Sequence, residues 1–464
     1  MTDPDRRHLA RRLARQDDHR SGAGRPRRRT DAVTLVSWYL LLLMAIPSSL
    51  VVGSLGSAGS PATIAAAGLC LAYLAAKWHP ALGLDGERQP VRASAVLLCC
   101  SVLASYVAAN RVAMSTHQVN GADRGLILLA GWLGVMLLTA DGIDRAGRLD
   151  VLLRRIVIGA TAMAVVGLVE FVTGTNISSY VTIPGLVQHH GVTDLMTRDG
   201  LVRVVATAAQ PLEFSTVLAM SLPLAIHQAR YADRQIRLRR WLQVTLIAAA
   251  IPMAVSRSAI VSLLLIPVLL VPTWPRRQRR LSYLVLAAVP LAAWIAAPSV
   301  GSAILTSFAH LGNGSSSHSR ASAISMAAPL IVRHPLFGQG FGTFNPQLSF
   351  FVDDQFVTSL IETGVVGLLA VLGLFAAGAY ATRSARSAAA SQRVRDQAHA
   401  LTTSLLVAVI AFATFDVLSF SIASGLFFVL LGCSGALWRL TRPAAAPPMP
   451  PIADGEPAPA QLPR

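Results

Sequence analysis

The stretch Val33–Val52 reads VTLVSWYLLLLMAIPSSLVV and contains no charged residue. Its length matches the roughly 20 apolar residues that an α-helix needs to cross the hydrocarbon core of a membrane. Similar apolar runs recur along the chain, which has 464 residues, of which 53% are hydrophobic and only 14% are charged. A soluble domain carries about 25% charged residues. The composition excludes an ordinary soluble enzyme and predicts an all-α polytopic membrane protein.

The apolar runs predict about twelve transmembrane helices between residues 32 and 442. We expect them near residues 32–53, 61–78, 91–110, 125–141, 151–173, 211–228, 241–256, 258–274, 281–298, 357–381, 400–417 and 418–438. The Arg-rich segment 1–31 is expected to be a disordered cytoplasmic tail, because it has too few apolar residues to fold. The Pro/Ala-rich segment 443–464 is expected to be a second disordered cytoplasmic tail.

The basic residues are distributed unevenly between the two sides of the predicted membrane domain. With the N-terminus in the cytoplasm, all but seven of the forty basic residues lie in inner segments, as the positive-inside rule requires. The seven on the outer side are Arg111, Arg124, Arg198, Arg203, Arg257, Arg320 and Arg333. The net charge of +17 is therefore interpreted as a topology signal, and no nucleic-acid partner is expected. We predict a multi-pass protein of the plasma (inner) membrane with both termini in the cytoplasm.

Two of the predicted outer segments are unusually long, about 174–210 and 299–356. Long connections of this kind are usually functional or disordered. The second precedes the tenth span and contains a predicted amphipathic helix, 321–332, followed by the glycine-rich stretch HPLFGQGFG from His334. Since no Gly-rich phosphate loop follows a strand and no soluble domain is evident, an ATP-driven pump or a nucleotide-sugar enzyme is not expected.

Ionisable residues gather on the outer side, where each is costly and by default functional. They are Arg203, Glu213, Arg257, Arg320, Arg333, His334, Asp353, Asp354 and Glu362. An arginine presents a planar fork of donors that suits phosphate, and a carboxylate or histidine can take a proton from an attacking hydroxyl. The set is compatible with glycan transfer from a lipid pyrophosphate, and equally with a transporter for an anionic solute. No metal site is expected, because two adjacent carboxylates point in different directions and no third ligand has suitable spacing. No cofactor is expected either.

Four local patterns, in this order, resemble the O-antigen ligase and polymerase family of integral membrane glycosyltransferases. They are RVVATAAQPLEFSTVL at 203–218, VSRSA at 255–259, VRHPLFGQGFGTF at 332–344 preceded by Ser319-Arg320, and VDDQFVTSLIETGVVG at 352–367. The resemblance implies a fold like the GT-C glycosyltransferases, with about twelve transmembrane helices and a large outer loop before the tenth span. It also implies metal-independent transfer from a polyprenyl-pyrophosphate-linked glycan.

The resemblance also suggests roles for individual residues. Arg203, Arg257 and Arg320 would bind the donor pyrophosphate, Asp353 or His334 would act as the base, with Asp353 favoured, and Glu362 would orient a partner. Supporting roles are expected for Glu213, Arg333 and Asp354. The sequence departs from the family pattern in two places: Asp353-Asp354-Gln355 replaces a motif with a catalytic histidine, and Gln210-Pro211 replaces a frequent His-Pro. The identity of the base and the choice between polymerase and ligase therefore stay open.

A second functional class also stays open, namely a transporter or flippase for a lipid-linked glycan or another anionic solute. Such proteins often contain inverted repeats and broken helices at mid-membrane, and no clear internal repeat is present in this sequence. Under either interpretation the expected partners are a lipid-linked glycan and membrane lipids, with a chain-length regulator as a further candidate.

The charge pattern makes a direct prediction about topology. A reporter fused after Arg240, Arg280 or Arg395 should report the cytoplasm, whereas a reporter inserted between Gly312 and Ser317 should report the outer side. The measurement is the activity of alkaline phosphatase fusions against β-galactosidase fusions in whole cells. A reversed signal at any of these positions would contradict the predicted arrangement, since one missing span inverts everything that follows it.

Overall fold

The computed structural model describes residues 31–53, 59–78, 89–111, 114–188, 197–198, 201–284, 315–345 and 349–442. This part of the chain is a bundle of α-helices. They are α1 (Ala32–Ala45), α2 (Pro61–Trp78), α3 (Pro90–Ala109), α4 (Thr116–Gly142), α5 (Ala146–Thr173), α6 (Pro211–Arg230), α7 (Arg234–Ala250), α8 (Arg257–Leu270), α9 (Ser315–Arg333), α10 (Gln355–Ala388), α11 (Gln392–Phe412) and α12 (Ser421–Thr441).

Two small antiparallel ribbons accompany the helices. Strand β1 (Leu50–Val51) pairs with β2 (Val187–Gln188), and β3 (Thr197–Arg198) pairs with β4 (Leu201–Val202). Among the described helices, α2, α3, α4, α5, α10 and α12 are long and apolar enough to cross a membrane. The protein is an all-α multi-pass membrane protein, as the sequence predicts. The end of the bundle that carries 46–53, 59–60, 174–188, 201–210 and 413–420 is called the outer end below, following the predicted topology.

The helix boundaries differ from the predicted spans where local chemistry interrupts an apolar run. The first span was expected to reach residue 53, but α1 ends at Ala45. Ile46 has extended backbone angles because it precedes Pro47, and a proline disfavours the helical conformation of the residue before it. The apolar residues that follow form β1 instead. The predicted ninth span, 281–298, lies mostly outside the described residues, and the described chain is helical from 276 to 284.

Helix α12 is the central element of the bundle and is buried along nearly its whole length. It packs closely on α4 through small residues. A Cβ atom on Gly432 would lie 2.6 Å from the carbonyl oxygen of Met136, and a Cβ on Gly134 would lie 2.4 Å from the Cα of Cys70 in α2. Glycine therefore lets α4 approach both neighbours closely, as is common in membrane helix packing.

Helix α9 confirms the amphipathic helix that the sequence predicts within the second outer segment. Ala323 and Ala327 are buried, whereas Ile324, Met326 and Val332 are exposed. The buried side contacts α10 and joins a small hydrophobic cluster with Val352. Because exposed apolar residues are favoured at a membrane surface, this helix fits an interfacial position.

Candidate functional site

The glycine-rich turn His334–Phe344 interlocks with a break in α10. Gly364 interrupts that helix with φ 64° and ψ −164°. Backbone groups on both sides of the break consequently lose their helical partners. The turn replaces them, because the N–H groups of the two residues after Gly364 donate to the carbonyls of Pro335 and Leu336, at 2.9 and 3.2 Å.

The same interlock satisfies the carbonyls that precede the break. Gln339 donates its N–H to the carbonyl of Ile361 at 2.9 Å, and Gly340 donates to that of Glu362 at 2.9 Å. The hydroxyl of Ser105 in α3 donates to the same Glu362 carbonyl at 2.8 Å. The unit therefore has paired backbone groups even though it lies within a membrane protein.

Two glycines make this close approach possible. Gly338 has φ 66°, and a Cβ there would lie 2.2 Å from the carbonyl carbon of Glu362. A Cβ on Gly364 would lie 2.4 Å from the carbonyl of Leu336. The turn and the Glu-Thr-Gly segment, which are separate patterns in the sequence, thus form one structural unit.

Glu362 is buried at the centre of this unit, with only 6% of its surface exposed. Its carboxylate accepts hydrogen bonds from the backbone N–H groups of Phe344, at 3.4 Å, and Gly342. Arg124 in α4 and Asp416 lie within electrostatic range of the same carboxylate. Glu362 therefore holds the turn in place through these two hydrogen bonds, and its charge interacts with those of Arg124 and Asp416.

Asp416 lies in the connection between α11 and α12 and is half-buried. The pKa of its carboxyl is raised to about 6, mainly by burial. The Asp353 carboxylate adds to the rise, and the hydrogen bond from the Ser419 hydroxyl opposes it. A carboxylate with a pKa near neutral is well matched to general base catalysis. Asp416 is absent from the residues predicted from the sequence.

The two adjacent aspartates at the start of α10 have different surroundings. The side chain of Asp354 caps the helix by accepting from the N–H groups of Phe356 and Val357, at 2.8 and 3.2 Å. Asp353 is exposed and lies close to Asp416. Asp354 therefore stabilises the start of α10, whereas the Asp353 carboxylate is exposed beside it.

Arg333 and His334 are both exposed. The carbonyl of His334 accepts from the N–H of Gly338 at 3.0 Å and so closes the turn. Its imidazole makes no hydrogen bond with the residues that the structure describes. The contribution of His334 in this structure is therefore the shape of the turn.

Arg203 and Arg257 are brought to one corner of the outer end. Arg203 donates from Nε to the carbonyl of Ala254 at 2.9 Å, three residues before Arg257, which is the first residue of α8. Arg257 is half-buried, and its Nε is buried without a hydrogen-bond partner in the described part of the chain. This corner carries two cationic side chains, one of which retains an unused buried donor.

Two buried glutamates shape the segment that follows Arg203. Glu170 accepts from the N–H groups of Val205 and Ala206, at 3.1 and 2.7 Å. Glu213 accepts from Ala209 at 2.8 Å, and its second oxygen accepts from the first turn of α12 at 2.7 and 3.2 Å. Glu213 therefore ties the start of α6 to α12.

A cavity of about 290 Å³ opens between this segment and the connection that contains Asp416. Most of its polar lining is neutral, with hydroxyl and amide side chains that include Ser48, Ser60, Gln210 and Ser421. Arg124 also lines it and has a buried Nε without a hydrogen-bond partner among the described residues. Neutral hydrogen-bonding groups beside one cation suit a sugar that carries a phosphate.

The predicted site residues thus fall into two groups at the outer end. Arg203 and Arg257 share one corner, whereas Asp353 and Glu362 lie within electrostatic range of Asp416. Arg320 belongs to α9, and its side chain lies outside the described residues. Within the described part, no three His, Cys, Asp or Glu side chains converge as metal ligands.

Three functional or bracing residues are missing from the sequence prediction: Arg124, Glu170 and Asp416. Glu170 lies near the end of a predicted span and Arg124 next to the start of another, so the rule that flags ionisable residues at membrane depth could have found both. Asp416 occurs alone between two apolar runs, and no local pattern connects it to Asp353.

A helical multi-pass membrane protein with a polar, arginine-containing outer end is the class that this fold and site define. The family model described as O-antigen ligase matches residues 242–372, a range that includes Arg257, Arg320, His334, Asp353 and Glu362. This match confirms the resemblance over the patterns at 255–259, 332–344 and 352–367, whereas the pattern at 203–218 lies outside it, and it indicates a role in polysaccharide assembly. No curated protein matches the chain.

The interlock predicts a strong effect of adding one methyl group. Gly338→Ala should destabilise the protein, because it combines a left-handed backbone, which costs about 1–2 kcal/mol, with a clash against the Glu362 carbonyl. The measurement is thermal unfolding of the purified protein in detergent. Gly373→Ala, in α10 with only a 3.4 Å contact to Leu97, is the matched control and should leave the midpoint unchanged or raised. Equal midpoints for both variants would contradict the interlock.

Proposed function

We propose that the protein transfers a glycan from a lipid-pyrophosphate carrier to an acceptor hydroxyl on the outer face of the membrane. The observation that carries the proposal is the match to the O-antigen ligase family over the residues that form the interlocked turn, Arg257 and Asp353. The outer end adds the groups that this chemistry needs: cations for a departing pyrophosphate, a neutral polar cavity for a sugar, and carboxylates for a proton.

The reaction exchanges one bond for another at the anomeric carbon of the donor sugar. The bond from this carbon to the phosphate oxygen breaks, and a bond to the acceptor oxygen forms. The acceptor proton passes to a carboxylate, and the lipid pyrophosphate leaves with the electron pair. Because negative charge develops on the leaving oxygen, preorganised cations near it lower the barrier.

Arg203, Arg257 and Arg320 are the proposed pyrophosphate-binding residues. Arg203 and Arg257 share one corner, and the half-buried guanidinium of Arg257 retains a buried donor. Partial burial strengthens a charge-assisted contact because water screens it less. Arg124 is a further candidate, since it lines the cavity and its own Nε is unpartnered in the described chain. The transfer proposed here needs no metal ion.

The Asp353–Asp416 pair is the proposed source of the base. Asp353 is the exposed member and would meet the acceptor hydroxyl, whereas Asp416, with a pKa of about 6, supplies a neighbouring charge. Glu362 would hold the glycine-rich turn beside them through its bonds to Gly342 and Phe344. His334 remains the alternative base.

A transfer assay tests the proposal directly. The purified protein in liposomes, given a polyprenyl-pyrophosphate-linked glycan and a chelator, should lengthen the glycan or transfer it without any added nucleotide. Lengthening of the donor glycan itself would identify a polymerase, and transfer to a different acceptor would identify a ligase. If the glycan crosses the bilayer unchanged, the protein is a flippase and the proposal fails. A requirement for a nucleotide sugar would also refute it.

The corner that carries Arg203 and Arg257 predicts that a lysine cannot replace the guanidinium of Arg257, although it has the same charge. Arg257→Lys should lower the transfer rate roughly ten- to hundredfold, because a charge-assisted hydrogen bond contributes about 1.5–3 kcal/mol. The measurement is initial rate at saturating donor, with protein amount in the membrane checked in parallel. Arg111→Lys, an exposed arginine at the same end, is the control and should keep its activity. Full activity of Arg257→Lys would show that Arg257 does not bind the donor and only anchors the helix end among lipid headgroups.

The carboxylate pair predicts a step in the pH profile. The transfer rate should rise with pH and reach its midpoint near 6, because Asp416 loses its proton there and the pair gains a charge. Asp353→Asn should abolish transfer, and His334→Ala should reduce it only partly. Asp416→Asn should keep the lower, acid-side rate at every pH and show no step near pH 6, because its neutral amide resembles the protonated carboxyl. Asp123→Asn, an exposed carboxylate at the outer end, serves as the control.

Two results would reverse these assignments. Asp416 is the base if Asp416→Asn is inactive while Asp353→Asn remains active. In that case the step in the pH profile of Asp353→Asn should lie below pH 6, because the Asp353 charge helps to raise the Asp416 pKa. If His334→Ala alone is inactive, the base is the histidine.

A further inference from the structure

A second polar cavity lies at the opposite, inner end of the bundle and has no part in the proposed transfer. It has a volume of about 90 Å³. We call it the inner pocket; its lining includes Asp150, Arg154, His227, Gln228, Arg240 and Arg393. This volume is well above the roughly 15 Å³ that a single water needs.

Two polar side chains of the inner pocket have buried atoms without partners among the described residues. Both amide atoms of Gln228, Nε2 and Oε1, lack a hydrogen bond, and so does Nδ1 of His227. His227 is only 6% exposed. Buried polar groups are normally hydrogen-bonded, so each exception needs an explanation. Their position at a cavity indicates that a polar ligand satisfies them.

The charges around the inner pocket favour an anion. Arg154, Arg240 and Arg393 line it together with two acids, Asp150 and Asp233. Arg393 already binds Asp150 at 2.9 Å. Arg154 and Arg240 lie close enough for their charges to repel each other, and Arg240 donates one hydrogen bond, to Gln243 at 2.9 Å. A bound anion would relieve this repulsion and use the remaining donors.

The surface beside the inner pocket is suited to lipid. Helix α7 begins with the sequence RQIRLRRWL from Arg234. Leu238 is 83% exposed and Leu242 is 55% exposed, so apolar side chains alternate here with arginines. This combination is typical of a helix at the boundary between headgroups and acyl chains. The arginines that line the inner pocket consequently lie beside a surface suited to phospholipid headgroups.

We propose that the inner pocket binds a phosphate group, supplied by the headgroup of an anionic phospholipid in the inner leaflet. The guanidinium groups of Arg154 and Arg240 contact the phosphate oxygens, because the arginine fork matches phosphate geometry. The amide of Gln228 donates to the same group or accepts from a headgroup hydroxyl. This site is independent of the outer end, so the failure of either proposal leaves the other unaffected.

Native mass spectrometry of the purified full-length protein in detergent tests the proposal. Phosphatidylglycerol should bind with at least about tenfold higher affinity than phosphatidylcholine. Arg154→Gln/Arg240→Gln should weaken phosphatidylglycerol binding roughly tenfold or more. The matched control is Arg234→Gln/Arg239→Gln, which removes the same charge from exposed residues that do not line the pocket. Equal losses in the two double variants, or no preference for the anionic lipid, would overturn the proposal.

Gln228→Leu provides an independent readout. Replacing an unpartnered buried amide by an apolar group of similar size should raise the thermal midpoint without lipid and lower the affinity for phosphatidylglycerol. A purely structural glutamine would lower the midpoint instead, and unchanged lipid affinity would overturn the proposal. This variant keeps the test decisive if the arginine variants fold poorly.

Inorganic phosphate distinguishes the two sources of the ligand. If millimolar phosphate displaces phosphatidylglycerol, the pocket also accepts a soluble phosphate. If phosphate does not compete while phosphatidylglycerol stays bound, the lipid is the ligand, and its acyl chains contribute at the exposed face of α7. If neither binds, the inner pocket is not a phosphate site.

Discussion

The break in α10 at Gly364 is the constraint on which the outer end depends. Inside a membrane an unpaired backbone group costs several kcal/mol, so a helix can be interrupted only where other protein groups take over its hydrogen bonds. The turn that begins at His334 does this with four backbone bonds, two in each direction. The turn cannot move away without leaving those groups unpaired. Glu362, two residues before the break, is therefore held in a fixed position relative to α3 and α4.

Four buried or half-buried carboxylates at the outer end hold backbone groups in place. Glu170, Glu213, Glu362 and Asp354 each accept N–H groups from loops or helix starts. At the inner end, by contrast, acids such as Asp396 form ion pairs with arginine, at 3.0 Å from Arg230. The described acids at the two ends thus have different partners. At the outer end, Arg124 and Arg257 each keep a buried Nε that no described group satisfies.

Local properties made much of the fold predictable from the sequence. Apolar runs predict the helices because the hydrophobicity of a segment depends only on its own residues. The proline after Ile46 likewise accounts for the early end of α1. The site is less predictable because it depends on contacts between distant segments. Pro335 and Val365 are thirty residues apart and are joined by the fold alone. Asp416 comes within electrostatic range of Asp353 only through the packing of α11 and α12 on α10, and no spacing in the sequence encodes that proximity.

A family-like sequence pattern in this protein can have a purely structural cause, even where it contains a residue that could take part in chemistry. The glycines of HPLFGQGFG are required by backbone geometry, since Gly338 lies against the Glu362 carbonyl and leaves no room for a side chain. His334 lies within this motif, yet it contributes a carbonyl to the turn and exposes its ring. Membership in a motif is thus weak support for a chemical role. A stronger criterion is a polar group whose hydrogen-bonding capacity the fold leaves unused, and at the outer end Arg257 meets that criterion, whereas Glu213, with all its oxygens bound to backbone, does not.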